Sequence, residues 1–241
     1  MSGEVTAAAF LKKLKTFRSA EELKKIQRYF KTSDGEDRND EFIGVRMGQV
    51  FALAKEFIEM TPGEIEKLLE NLIHEARVGA VSIMDWQARS KKTSEERRKA
   101  LFELYIRRHD RINNWDLVDR SAPYVVGGYL FDKPREILHK LARSKNVWER
   151  RTAIVSTYYF IRKGDLTDTF QIAEMLLNDE HDLIHKATGG WLREAGKKDI
   201  RKLLSFLDKY AATMPRTALR YAIEHLDKKR RDHYLALKNA P

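Results

Sequence analysis

The pentapeptide RRTAI at residues 150–154 decides the fold, because variants of it recur along the chain. The related segments, each with a cation followed by small residues, are ARVGA at 76–80, HKATG at 185–189 and PRTAL at 215–219. Their spacing fits a unit of roughly 30 to 40 residues, which is the length of one helix pair in a helical repeat protein. Such pairs stack because neither helix can bury its apolar face alone. The sequence therefore predicts an all-α fold in which helix pairs form an α-solenoid.

The rest of the chain also has a helical pattern. Apolar residues recur at spacings of three and four, without the sustained alternation that is typical of strands. Capping boxes mark three helix starts, at Ser19 with Glu22, at Thr61 with Pro62 and Glu64, and at Thr93 with Glu96. The polar stretch at 31–40 (KTSDGEDRND) predicts a surface loop after an N-terminal helical pair within residues 1–40. We expect residues 1–241 to form a single domain.

The net charge indicates a polyanionic partner. The chain has 46 Lys and Arg against 36 Asp and Glu, which gives a net charge of +10. On charge alone, a basic protein that is merely soluble is the alternative. Because equivalent positions in a solenoid lie on one surface, we expect Arg77, Arg151, Lys186 and Arg216 to form a stripe in a concave basic cleft. Such a stripe matches a phosphate backbone, and binding would weaken steeply with salt.

Composition excludes several functional classes. The chain has no cysteine, which rules out disulfides, thiolate metal sites and cysteine nucleophiles, and fits a reducing cytosol. Residues 1–17 lack the apolar core of a signal peptide, and the longest apolar stretch, 122–131, is too short to span a bilayer. We expect a soluble, unprocessed, monomeric protein with no membrane partner, located in the cytoplasm and associated with the nucleoid through DNA.

The repeat is interrupted at residues 113–119 (NNWDLVD), where an aromatic residue and acids replace the cation. Trp115 and Asp119 are four residues apart and therefore share a helix face. A carboxylate in a cationic groove does not help a binding module, but it suits a glycosylase, because breaking an N-glycosidic bond develops positive charge on the sugar. Asp119 would stabilise that charge or orient water, and Trp115 would pack against the sugar. The alternative is that Trp115 is a core residue and Asp119 pairs with an arginine.

Four segments carry a resemblance to a known family: GVR at 44–46, NWDLVD at 114–119, WERRTAI at 148–154, and KATG at 186–189 followed by LRE at 192–194. From about Phe42 to about Leu226 the chain resembles the DNA alkylation repair proteins of the AlkD type, which are HEAT-like-repeat DNA glycosylases. The resemblance implies a monofunctional N-glycosylase of base excision repair that removes cationic N3- and N7-alkylated purines from duplex DNA. It also implies that no metal, nucleotide or other cofactor takes part. A cationic base is already a good leaving group, so a carboxylate can suffice.

The resemblance also implies roles for individual residues. Trp115 corresponds to the tryptophan that packs on the sugar, and Asp119 to the catalytic aspartate. Arg151 corresponds to the arginine that holds the backbone near the lesion, and Arg193 resembles a further cation of the cleft. Arg46 lies in the matched segment 44–46, and we expect it to bind DNA as well.

The sequence departs from the family at one position. The family usually has a second sugar-facing tryptophan directly after the glycine that corresponds to Gly189, whereas this chain has Gly190 there and Trp191 one residue later. A shift of one residue rotates a helical side chain by about 100°. Either the helix is locally overwound, so that Trp191 recovers the position and contacts DNA, or the cleft is wider and the range of lesions differs.

Two other functions are compatible with the sequence. The glycine at 190 fits a noncatalytic family member that binds branched or distorted DNA, and an assay for base release would separate it from a glycosylase. A protein-binding solenoid would use apolar pockets, and its binding would depend less steeply on salt.

The remaining motifs are weaker. His181 and His185 have the i, i+4 spacing of metal ligands but lack the glutamate of the HExxH pattern, so we predict no metal site there. The glycine pairs 127–128 and 189–190 lie in a helical pattern, which indicates close helix packing rather than a phosphate loop. The basic run 228–231 (KKRR) is flanked by acids and is typical of a solvated helix face.

Overall fold

The computed structural model describes residues 4–30 and 40–237, which are helical apart from turns, loops and an isolated β-bridge between Glu41 and Ile73. The all-α prediction is therefore confirmed over these ranges. Among the described residues, no helix combines the length and the apolar composition needed to cross a membrane. The loop predicted at 31–40 lies outside the described residues except for Asp40, and the solenoid and the single domain stay predictions.

The helices fall into two groups along the chain. The first group is α1 (Ala7–Lys15), α2 (Ala20–Phe30), α3 (Met47–Glu56), α4 (Pro62–Leu69), α5 (His74–Arg89), α6 (Glu95–Arg107) and α7 (Trp115–Ser121). A π-helical segment, Ala122–Gly127, follows. The second group is α8 (Gly128–Leu130), α9 (Glu136–Ala142), α10 (Val147–Lys163), α11 (Thr167–Met175), α12 (Asp182–Lys198), α13 (Ile200–Tyr210), α14 (Arg216–Ala222) and α15 (Lys228–Leu237).

The chain forms two compact units, of which the first ends at Val125 and the second comprises the residues after it. In the first unit α5 packs against α3, α4 and α7. Along α5 every residue is buried except Trp86 and Arg89. Burial on all sides places charged residues of this helix, such as Glu75, inside the protein, where they need partners.

In the second unit α12 packs against α10, α13 and α14, and α10 packs against α9 and α11. Ile161, Leu166 and Ala195 form an apolar cluster between these helices, and Phe170 and Trp191 pack against it. We call this group the second-unit cluster. It contains residues of both α10 and α12.

Two of the predicted helix starts are confirmed. The N–H of Glu22 donates to Oγ of Ser19 at 3.3 Å, and the N–H of Glu64 donates to Oγ1 of Thr61 at 3.4 Å. The carboxylate of Glu64 accepts a hydrogen bond from the N–H of Ala7 at 2.7 Å. The carboxylate that a capping box would direct to the N–H of Thr61 therefore ties α4 to the start of α1.

The third helix start differs from the prediction. Ser94, and not Thr93, is the N-cap of α6, and its hydroxyl oxygen accepts a hydrogen bond from the N–H of Arg97 at 3.3 Å. The prediction of Thr93 was wrong by one residue because serine and threonine are both good caps, and here they are adjacent.

Close packing occurs at Gly127 in the first glycine pair and at Gly189 in the second. A Cβ atom on Gly127 would collide with the carbonyl oxygen of Ser156, and one on Gly189 would collide with the carbonyl oxygen of Ala218. A Cβ atom on Gly190 would meet no atom within 4 Å. The prediction of close helix packing is therefore confirmed at Gly127 and Gly189 and is wrong at Gly190.

We expect Gly189→Ala to lower the free energy of unfolding by about 1 to 3 kcal/mol, because α14 must move away from α12. Gly190→Ala is the matched control on the same helix, and the better helix propensity of alanine should raise stability by up to about 1 kcal/mol. Urea unfolding followed by circular dichroism measures both changes. Equal effects of the two substitutions would contradict the close contact at Gly189.

Candidate functional site

Helix α7 begins where the sequence interrupts its repeat. The side chain of Asn114 caps the helix, because its Oδ1 accepts a hydrogen bond from the N–H of Trp115 at 2.8 Å. Leu117 and Val118 are fully buried and anchor the helix in the first unit. Trp115 and Asp119 lie one turn apart, are both half-buried and line the same cavity.

This cavity has a volume of about 700 Å³ and mainly apolar walls. Val45, Phe51 and Val78 contribute to the apolar lining, and Asp119 and Arg120 are among its charged members. An apolar wall lowers the local dielectric constant, so a carboxylate beside it acts more strongly on a nearby positive charge than it would in water. The arrangement suits a ligand that develops positive charge next to Asp119.

Val45 and Arg46 contribute a second wall of the cavity, and the segment 40–46 to which they belong is held by a buried carboxylate. Glu75, fully buried at the start of α5, accepts hydrogen bonds from the three consecutive backbone N–H groups of residues 43–45 at 2.9–3.2 Å. Gly44 has a φ of +77°, and a Cβ atom there would collide with the backbone of Ser19. These constraints explain why the matched segment starts with glycine, and they place Arg46 at the cavity.

His74 links the two walls. Its Nδ1 lies 3.0 Å from Oδ2 of Asp40, and its Nε2 lies 2.7 Å from Oδ2 of Asp116 in the first turn of α7. Burial lowers the pKa of His74, but the charge and hydrogen bond of Asp116 and the hydrogen bond of Asp40 outweigh it and raise the pKa to about 9. Because both ring nitrogens face carboxylate oxygens, an imidazolium with two N–H donors satisfies both.

Arg77 lies inside the protein. Its side chain is fully buried, pairs with the carboxylate of Asp40 and donates a hydrogen bond to Oδ1 of Asn113. The expectation of a surface stripe is corrected at this position. The physical reason is that α5 is buried on all sides, so a cation on it finds its partners in the interior.

Arg120 follows Asp119 in α7 and contributes a cation to the cavity wall. Its guanidinium lies 3.2 Å from the buried carboxylate of Asp85, and its Nε donates to Oγ of Ser82 at 3.2 Å. It also lies over the ring of Phe51, 4.7 Å from the centroid. Burial lowers the pKa of Arg120, although the charge of Asp85 acts in the opposite direction. Burial also raises the pKa of the Asp85 carboxyl.

Several charged residues at this site were not predicted from the sequence, among them Asp40, His74, Glu75 and Arg120. The available signal was the position of His74 and Glu75 at the start of a helix whose remaining pattern is largely apolar. Charges in such a helix must be paired. The partners of His74 lie 34 and 42 residues away along the chain, a separation that no local spacing reveals.

Two predicted phosphate-binding cations of the second unit are ion-paired. Lys186 is exposed, and its Nζ lies 2.6 Å from the carboxylate of Asp182, one turn earlier in α12. The hydrogen bond that Lys186 donates to Asp182 raises the pKa of Lys186. Arg193 is half-buried and pairs with Glu224. Both cations are positioned by carboxylates of their own unit.

The other two predicted cations of this unit differ from each other in burial. Arg151 is only 6% exposed, and its Nη1 donates to the carbonyl oxygen of Leu183 at 2.6 Å. Arg216 is the first residue of α14 and is half-buried. Equivalent positions of the sequence repeat therefore differ in exposure.

Trp191 packs into the second unit. Its Nε1–H donates to the carbonyl oxygen of Val155 at 3.1 Å, and its ring lies 5.9 Å from that of Tyr158 and against the second-unit cluster. Helix α12 is a continuous α-helix through this position, without local overwinding, and the neighbouring Gly190 faces open space. A DNA contact of Trp191 stays a prediction.

The weaker motifs have structural positions. His181 caps α12, because its Nδ1 accepts a hydrogen bond from the N–H of Leu183 at 3.2 Å, and His185 hydrogen-bonds to the carbonyl oxygen of Asp179. Within the ranges that the structure describes, no three His, Cys, Asp or Glu side chains are grouped to hold a metal ion. The basic run 228–231 lies exposed in α15, as predicted for a solvated helix face.

Fold and site together define an all-helical protein in which an acid and an indole, one helical turn apart, open onto a single cavity. A family model described as DNA alkylation repair enzyme matches residues 10–226, and the chain belongs to this family. Its fold is similar to a solved structure entitled "Predicted DNA alkylation repair enzyme from Enterococcus faecalis", with a TM-score of 0.70 and 18% identity over 88% of this chain and 97% of that chain. No curated protein matches the chain.

We expect the stability of the first unit to fall as the pH rises from about 6.5 to about 9. His74 has a raised pKa in the folded chain, so its contribution to stability is complete below the unfolded value of 6.5 and is lost as the pH rises through about 9. The free energy of unfolding should decrease by about 3 kcal/mol over this interval. Urea unfolding across the pH range measures the change.

His74→Gln should remove most of this pH dependence, since glutamine does not titrate. His233→Gln, which changes an exposed histidine of α15, is the control and should retain it. A pH dependence that survives in His74→Gln would show that another group is responsible.

Proposed function

We propose that this protein is a monofunctional DNA N-glycosylase that releases cationic N3- and N7-alkylated purines from duplex DNA in base excision repair. The observation that carries this proposal is that Trp115 and Asp119 line one cavity in a member of the DNA alkylation repair enzyme family. Family membership supports a role in the repair of alkylated DNA. The Asp119 carboxylate at the cavity supports cleavage of an N-glycosidic bond, because it can stabilise the positive charge that develops on the sugar.

In the proposed reaction the N-glycosidic bond breaks and its electron pair leaves with the cationic purine, which becomes a neutral base. The anomeric carbon develops positive charge, which the Asp119 carboxylate stabilises from the cavity wall. Water then attacks that carbon and gives up a proton to Asp119 or to solvent, which leaves an abasic site. The indole of Trp115 packs against the sugar and favours the same positive charge.

Basic residues of both units would hold the DNA backbone. Arg46 is exposed and lines the same cavity as Asp119. In the second unit we assign Arg151, Lys186, Arg193 and Arg216 to phosphate binding, as members of a concave solenoid surface. Exposed ion pairs such as that of Lys186 are worth about 0 to 1 kcal/mol, so phosphates can replace their carboxylate partners at little cost. We further propose a monomer that acts in the cytoplasm on nucleoid DNA.

One observation favours a second candidate, a noncatalytic protein that binds branched or distorted DNA. Gly190 stands where the family resemblance leads us to expect a tryptophan, and a side chain there would extend into open space. The sugar contact that this tryptophan would make is therefore missing at position 190. The alternative predicts tight binding without release of a base.

The decisive assay incubates the protein with duplex DNA that carries 7-methylguanine and quantifies the free base. We expect Asp119→Asn to lower the single-turnover rate at least about 100-fold, because the amide cannot stabilise the positive charge. Glu59→Gln, the same change of carboxylate to amide at an exposed position of the first unit, is the control and should keep the wild-type rate.

Undiminished excision by Asp119→Asn would remove Asp119 from its role. Tight DNA binding without excision by the wild type would favour the noncatalytic candidate.

A further inference from the structure

His74 is a buried side chain for which the proposed reaction has no direct use. It is fully buried, and its ring lies 4.9 Å from that of Phe42, centroid to centroid. Its two nitrogens bond to Asp40 on one side and to Asp116 on the other. Burying a histidine between two carboxylates costs desolvation free energy, so we expect its charge to stabilise the fold or the site.

Asp116 connects His74 to the cavity. Asp116 and Asp119 lie three residues apart in α7, and both line the cavity. Two carboxylates that are neighbours on a helix disfavour each other's ionised form. The imidazolium of His74, 2.7 Å from Asp116, offsets this repulsion.

We propose that His74 is a positioning residue that acts through Asp116. As an imidazolium it neutralises Asp116 and fixes the first turn of α7, and this keeps Asp119 ionised and oriented toward the sugar. The inference rests on the proposed function of Asp119. His74 itself does not touch the substrate.

Other charged groups face these residues from the surrounding elements. They are Glu75 and Arg77 in α5, Asp40 in the segment 40–46, Glu22 and Lys25 in α2, Arg46 before α3, and Arg120 in α7. These groups already have partners: Arg77 pairs with Asp40, Glu22 with Lys25 and Arg46, and Arg120 with Asp85. Removing the charge of His74 therefore takes away the cation that lies 2.7 Å from Asp116.

The test compares pH–rate profiles of base release in single turnover. His74→Gln keeps a side chain of similar reach but leaves the charge of Asp116 without its cation. We expect the acid limb of the profile to move to higher pH by about one unit, because Asp119 then takes up a proton more readily. His233→Gln is the matched control: it makes the same substitution at an exposed histidine of α15, and its acid limb should stay in place.

A double substitution distinguishes an effect of the lost charge on the acid limb from an effect of general damage to the fold. His74→Gln combined with Asp116→Asn removes both members of the pair, so the acid limb should return to its wild-type position. An acid limb that stays at its wild-type pH in His74→Gln, or that moves equally in His233→Gln, would overturn the proposal.

Nuclear magnetic resonance tests the proposal without an assay of base release. The first readout needs only the wild-type protein. The imidazole nitrogens of His74 should remain protonated above pH 8, and a neutral ring at pH 7 would overturn the proposal. The carboxyl carbon of Asp119 should titrate at higher pH in His74→Gln than in the wild type. If that shift occurs although neither the wild-type protein nor His74→Gln releases base, the coupling of His74 to Asp119 is supported and the proposed function is contradicted.

Discussion

The buried carboxylate of Glu75 is the contact on which the rest of the first unit's site depends. It accepts three consecutive backbone N–H groups of residues 43–45 and so fixes a segment that has no regular secondary structure. In the same helix, His74 pairs with Asp40 and Asp116, and Arg77 pairs with Asp40. Buried charges persist only when they are paired and hydrogen-bonded, and removing one partner leaves the other uncompensated. The relative position of segment 40–46 and α7 therefore follows from the first turn of α5.

The class of the fold was accessible from the sequence because helices leave local signals. Hydroxyl caps at Ser19 and Thr61 hydrogen-bond within three residues, so their effect is visible in a short window. The same locality explains the error at Thr93, whose neighbour Ser94 is an equally good cap. The glycines show the limit of a local signal. Both members of the pair at 189–190 fit a helix, and only the position of α14 distinguishes them.

The site could be predicted in part. The shared face of Trp115 and Asp119 follows from their spacing alone, and the cavity places both of them at one surface. The interior position of Arg77 could not be predicted in this way. Its partner Asp40 lies 37 residues earlier in the chain, and its helix packs against four others, α3, α4, α6 and α7. Trp191 is a similar case, since its indole N–H is bonded to Val155 of α10. Short patterns identify which residues share a face, whereas packing decides which face is exposed.

The central claim is that Asp119 stabilises positive charge at the sugar, and binding to a charged sugar mimic tests it most directly. Two duplexes are compared, one with a protonated pyrrolidine in place of the sugar at an abasic position and one with a neutral tetrahydrofuran there. We predict that the wild-type protein binds the pyrrolidine duplex at least about tenfold more tightly, and that Asp119→Asn binds both duplexes alike. Equal affinity of the wild-type protein for the two duplexes would contradict the account.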